Sequence, residues 1–201
     1  MGVMMVARSV GGALGLLALL GCTGSDHRAA PDPLAFAAQD AVEPDVKTAE
    51  VARALLALGP SVDPDEAERA ARVAVTDPLD WAKAWRMTDA PLIHNFKVVN
   101  GLREKGVCQD FANAMHRSLQ AEGLRTLQIH RALANANNLR LEHTTVVLTA
   151  RGQPMTQGMV LDPWRLGQGR LWHGRVAEDD RYAWKTPEAA LAYRNRRSTG
   201  G

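Results

Sequence analysis

Alternating apolar and polar positions divide the chain into a helical half and a strand half. Residues 46–58, "VKTAEVARALLAL", have a helical composition and stop at Gly59-Pro60. Asp63-Pro64 opens a second helix. Asp63 is placed to cap it, Pro64 suits the first turn, and Glu66 stands at capping-box spacing. This helix is expected to run to about Val75, and Asp77-Pro78 repeats the device for "LDWAKAW". Asp89 and Pro91 begin a fourth helix, "PLIHNFKVVNGL", in which Leu92, Phe96 and Val99 lie three or four residues apart on one face. A fifth covers residues 108–122: Phe111, Met115 and Leu119 repeat at four, and Gly123 ends it.

The period then changes. "LRTLQIHRAL" places apolar Leu127, Ile129 and Leu133 between polar residues. "LEHTTVVLTA" is β-branched and bounded by "RGQP". "GMVLDPW" and "GRLWHGRV" are two more short strands. "KTPEAALAYRNR" closes the chain as a helix, with Thr186 capping and Pro187 in the first turn. Helices followed by a run of strands that can pair with their neighbours predict an α+β layout.

The N-terminus changes the picture of where this domain works. Residues 1–21 carry one charge, Arg8, ahead of the apolar stretch "VGGALGLLALLG", and read as a lipoprotein signal peptide. "LLGC" resembles the bacterial lipobox, which predicts cleavage before Cys22 and lipid on its sulfur. An ordinary secreted protein cut a few residues later is the alternative. Thr23, where aspartate would signal retention at the inner membrane, leans the expectation towards an outer-membrane anchor facing the periplasm. Residues 22–44, rich in Ala, Pro and Asp, read as a flexible tether.

Charge and cysteine count narrow the function classes. The chain has 24 Lys and Arg against 22 Asp and Glu; losing Arg8 with the leader leaves 23 against 22. That balance gives no reason to expect nucleic acid as a partner, and "RNRR" near the end reads as a solvated tail. The two cysteines are Cys22 and Cys108. With Cys22 in a thioether, Cys108 is the single thiol of an exported chain, either reactive or simply a buried small hydrophobe.

Downstream residues favour the reactive reading. Cys108 begins a helix, where the macrodipole and unpaired N–H groups favour a thiolate. His143 lies early in a strand, and an imidazole there can take a thiol proton and return it to a leaving group. Asp162 ends the next strand, where a carboxylate can fix the imidazole tautomer and steady the imidazolium. Alternatives stay open for each: His143 as a strand histidine satisfied by backbone, and Asp162 as the first residue of a turn. Besides the Cys108 N–H, Asn95 and Gln109 are candidate oxyanion donors. Arg165 is a candidate for a substrate carboxylate, with a plain surface role as the alternative. His27, His116, His130 and His173 show no metal-ligand spacing, and no cofactor is required by this chemistry.

"GVCQDFANAM", "EGLRTLQIHRAL", "EHTTVVL" and "VLDPW", in that order, resemble the transglutaminase-like branch of the papain-like cysteine enzymes. Cys, His and Asp are separated by 35 and 19 residues. One departure is Thr144, where that family often has an aromatic residue after the histidine. The resemblance implies a nucleophile helix packed on a small antiparallel sheet, preceded by N-terminal helices in residues 45–89, with the catalytic domain in 90–197. It implies a Cys108–His143–Asp162 triad that attacks an amide or isopeptide bond of a protein or of cell-wall peptide. Acyl transfer and a non-catalytic binding lipoprotein are the alternatives.

Overall fold

A computed structural model describes residues 43–138 and 141–198. The signal sequence, Cys22, His27 and nearly all of the tether lie outside the described residues. The elements are α1 Pro44–Leu56, α2 Pro64–Ala84, α3 Pro91–Val99, α4 Cys108–Ala121, β1 Leu127–Ala134, β2 His143–Ala150, β3 Met159–Asp162, β4 Trp172–Arg175 and α5 Pro187–Ser198. The four strands form one antiparallel sheet in the order β1-β2-β3-β4, so every neighbour in space is also a neighbour in sequence. The protein is mixed α+β.

The sheet is covered on both sides. Leu127, Val146, Leu148 and Leu161 meet Met115 and Leu119 of α4, Val51 and Leu55 of α1, and the alanines of α2. On the other face Ala132, Ala134, Val147 and Val160 pack against Trp184, with Trp172 and Tyr182 at the margin. All eight residues of β2 are buried. A strand enclosed on both faces carries no polar stripe for solvent, which is why "TTVVLTA" reads as a β-branched run rather than an alternation. Residues 45–89 share one continuous core with the sheet and α4.

One expectation is corrected. The break at Asp77-Pro78 does not occur, and α2 runs through Pro78. Ala67, Ala71, Ala74, Val75, Pro78 and Ala82 are all buried along it. Burial on both sides of the proline outweighs a mid-helix cost of about 3 kcal/mol. The apolar stripe of α3 does not face the core. Leu92, Phe96 and Val99 are 71, 65 and 82 % exposed. The helix is oriented instead by His94, its one buried side chain, whose Nε2 donates to the Lys105 carbonyl at 2.9 Å.

Glu66 also departs from its expected local role. Asp63 caps α2 by accepting from the Glu66 N–H at 3.0 Å. The Glu66 carboxylate does not turn back to the cap. It accepts from the Arg125 and Thr126 N–H groups, each at 2.8 Å, and from the Thr126 hydroxyl at 2.7 Å. This buried carboxylate ties the start of α2 to the turn that feeds β1.

Candidate active site

Cys108 is the first residue of α4. The turn before it is fixed from two sides. Asp110 accepts from the N–H groups of Gly106 and Val107 at 2.9 and 3.1 Å. Gly106 has φ +119, and a side chain there would run into the His94 ring. Only glycine takes that conformation and that approach together. The N–H groups of Cys108 and Gln109 belong to the first turn and have no intrahelical acceptor. Cys108 is half-buried, and its sulfur lies 3.9 Å from the Glu142 carbonyl, at the mouth of β2.

His143 is the next residue. Its Nε2 is 2.7 Å from Asp162 Oδ2, and both side chains are buried, at 3 and 0 % exposure. The register makes this pairing: β2 and β3 run antiparallel, with Val146 opposite Leu161, which brings the start of β2 to the end of β3. A carboxylate only accepts, so Nε2 carries hydrogen. The other nitrogen, Nδ1, is buried and makes no hydrogen bond of good geometry. The Cys108 side chain nonetheless interacts with the ring and favours its protonated form. Burial pushes the imidazole down, but Asp162 and Cys108 outweigh it and raise it to about 9. Trp164, Tyr182 and Trp184 surround the ring with centroids 4.8 to 5.5 Å away.

Asp162 fills both of the roles open to it from sequence. Its Oδ1 accepts from the Trp164 and Arg165 N–H groups at 3.2 Å each, which forms the turn, while Oδ2 faces His143. Arg165 is neither a surface residue nor open to a substrate. It is 8 % exposed, and its Nε donates to Asp162 Oδ2 at 3.1 Å. Its remaining nitrogens grip Asp179 at 3.1 and 2.6 Å, and the guanidinium lies 3.5 Å above the Trp172 ring centre. Asp179 in turn accepts from the Trp184 indole at 2.8 Å. The guanidinium fork matches two carboxylates at once, which is why the side chain folds inward.

The structure brings Cys108, His143 and Asp162 together. Of the amide candidates, Asn95 accepts from the Trp164 indole through its Oδ1 at 3.2 Å, and exposed Gln109 donates to Asn113 at 3.5 Å. A residue that sequence reasoning passed over stands beside Cys108. Arg131 of β1 donates to Thr144 Oγ1 and Asn113 Oδ1, both at 2.9 Å. Burial draws its guanidinium below the ordinary arginine value, against an opposing pull from Cys108. Among the described residues no carboxylate pairs with it.

Among the described residues no group of three or more His, Cys, Asp and Glu side chains is placed to hold a metal ion. His130 pairs with Thr149 Oγ1 at 2.9 Å, and His173 lies 3.6 Å from Glu50. No family model, no curated protein and no solved structure gives a significant match to this chain.

Proposed function

We propose that this chain is an envelope-anchored cysteine hydrolase of the transglutaminase-like kind, cleaving an amide or isopeptide bond in protein or cell-wall peptide. The observation that carries the reading is the buried His143–Asp162 pair, with Cys108 at a helix start beside the ring. A buried imidazole held protonated between a carboxylate and a thiol has few structural uses, and groups so perturbed concentrate at functional sites.

The steps balance with these residues alone. The Cys108 sulfur attacks the amide carbonyl carbon, and His143 holds the thiol proton. The free N–H groups at the head of α4 are suited to the oxyanion. As the C–N bond breaks, His143 gives its proton to the leaving amine and a thioester remains on Cys108. Water then attacks, His143 takes its proton, and the acid leaves as the thiol returns. Asp162 holds the tautomer, and Arg165 holds Asp162. Water is preferred to an amine as acceptor because transfer needs a dry acceptor pocket.

The test is covalent trapping. Native protein mixed with envelope extract and quenched in acid is expected to carry an acyl adduct on Cys108 that hydroxylamine removes, absent from Cys108→Ala. If no adduct forms and no extract component is cleaved, the enzyme reading falls and the binding-lipoprotein reading replaces it. Anchoring is tested separately: native protein should show the mass of lipid on Cys22, and Cys22→Ser should leave the membrane fraction. Equal membrane association without a lipid mass would remove the anchor from the account.

Arg165→Met should behave differently from a surface change. It leaves Asp162 and Asp179 buried without their shared cation, and breaking such a pair costs about 3–5 kcal/mol. Chemical denaturation measures it; a loss under about 0.5 kcal/mol would place Arg165 among ordinary surface residues.

A further inference from the structure

The exposed face of α3 continues into a second feature. Leu92, Ile93, Phe96 and Val99 are all more than half exposed, and Leu102, just past the helix, is 61 % exposed. Five large apolar side chains on one helix and its following turn exceed the scattered exposure normal for a monomer. Beside them lies a cavity of about 370 Å³ lined by Trp85, Arg86, Leu102, Arg103, Glu104 and Lys105. Arg86, Arg103 and Lys105 pair with no carboxylate among the described residues, and Arg103 Nε is buried without a partner. Lys97, on the flank of the stripe, is neutralised by Asp89 at 2.7 Å. Three cations against one carboxylate, Glu104, therefore stand at the C-terminal end of the stripe, around the cavity.

An apolar ridge with unpaired cations at its margin is the arrangement that seats a protein in the interface of an anionic bilayer. We propose that α3 and the 101–105 turn lie on an anionic lipid surface. The apolar ridge enters the acyl boundary, and a lipid phosphate is held in the cavity by Arg86, Arg103 and Lys105. Charge complementarity favours this occupant over a second copy of the chain, whose same patch offers three cations only one carboxylate, Glu104. Proximity favours it as well: the 22 residue steps from Cys22 to Pro44 reach at most ~75 Å. Proximity rests on the lipid-anchor reading, but the surface does not. No helix among the described residues is long and apolar enough to span a membrane, so the contact is with the interface.

Hydrogen exchange on the full chain reads the contact locally, with phosphatidylcholine vesicles with and without phosphatidylglycerol. On the anionic vesicles, amides of residues 91–105 should exchange at least about tenfold more slowly than in buffer. Cys22→Ser should keep that slowing at saturating vesicles. Phe96→Ser with Val99→Ser, and separately Arg103→Gln with Lys105→Gln, should restore the buffer rate. The apolar positions changed are largely exposed, so the fold is not at stake, and circular dichroism verifies it. The proposal is overturned by unchanged exchange while vesicles hold the chain, or by equal slowing on neutral vesicles. Slowing that grows with protein concentration without lipid would assign the face to a second copy. Slowing that needs added envelope proteins would assign it to a protein partner; either result overturns the lipid contact. Absence of lipid on Cys22 would fail the anchor reading alone.

Discussion

Iodoacetamide is expected to label Cys108 readily at pH ~6, and His143→Ala is expected to slow that labelling at least about tenfold. The reason is the charge beside the sulfur. A free thiol titrates near ~8.5 and is scarcely ionised at pH ~6. An imidazolium next to it favours the thiolate, and His143 holds its proton up to about 9. That charge is present throughout the neutral range and is lost as pH rises through about 9. The part of the labelling that depends on His143 should therefore persist across the neutral range and fade as pH rises through about 9. Asp162→Asn keeps the ring but not its counter-charge, so labelling should persist in part while turnover falls further. A native profile that rises only above pH ~8, with His143→Ala superimposed on it, would mean that the pair does not act as one.

The second large effect lies away from the thiol. Glu66→Ala should destabilise the fold by about 3 kcal/mol, because it leaves the Arg125 and Thr126 N–H groups without their charged acceptor. For a domain of this size that is a fall in Tm of roughly 6–12 °C. The same group makes stability depend on acid. Burial pushes the Glu66 carboxyl up, but the Thr126 hydroxyl and the Thr126, Arg125 and Leu127 amides outweigh it and lower it to about 2. Its contribution is thus complete above the ordinary value of 4.5 and is lost as pH falls towards about 2. Denaturant midpoints of native protein and Glu66→Gln should converge across that window. An alanine variant within about 0.5 kcal/mol of native at neutral pH would refute the assignment.

The three residues of the candidate site were legible because each stands at the end of an element: Cys108 opens α4, His143 opens β2 and Asp162 closes β3. It was less informative about what surrounds them. Arg131 shares its strand face with Leu127 and Ile129, where alternation calls for an apolar side chain. That interruption was the available signal, and it was read as part of the polar background. Arg165 was ambiguous because its partner Asp179 belongs to another turn, and spacing along the chain does not report it. Periodicity placed Leu92, Phe96 and Val99 on one stripe, but period alone does not say which way a stripe points. At Glu66 a local pattern and a distant partner asked for the same carboxylate. The distant one won because it offers four donors, where the cap offers one.

The reach of Glu66 also orders the folding reaction. Its hydrogen bonds join residues 59 to 61 positions apart. The sheet needs only nearby partners, such as Leu148 with Met159 and Met159 with Arg175. Closing the longer loop costs more chain entropy before any contact repays it. The meander that carries His143 to Asp162 can therefore condense early, while α1 and α2 are still undocked. Refolding should show two phases, with Glu66→Ala slowing only the later one. The His143–Asp162 pair would then form before the protein reaches its full resistance to proteolysis.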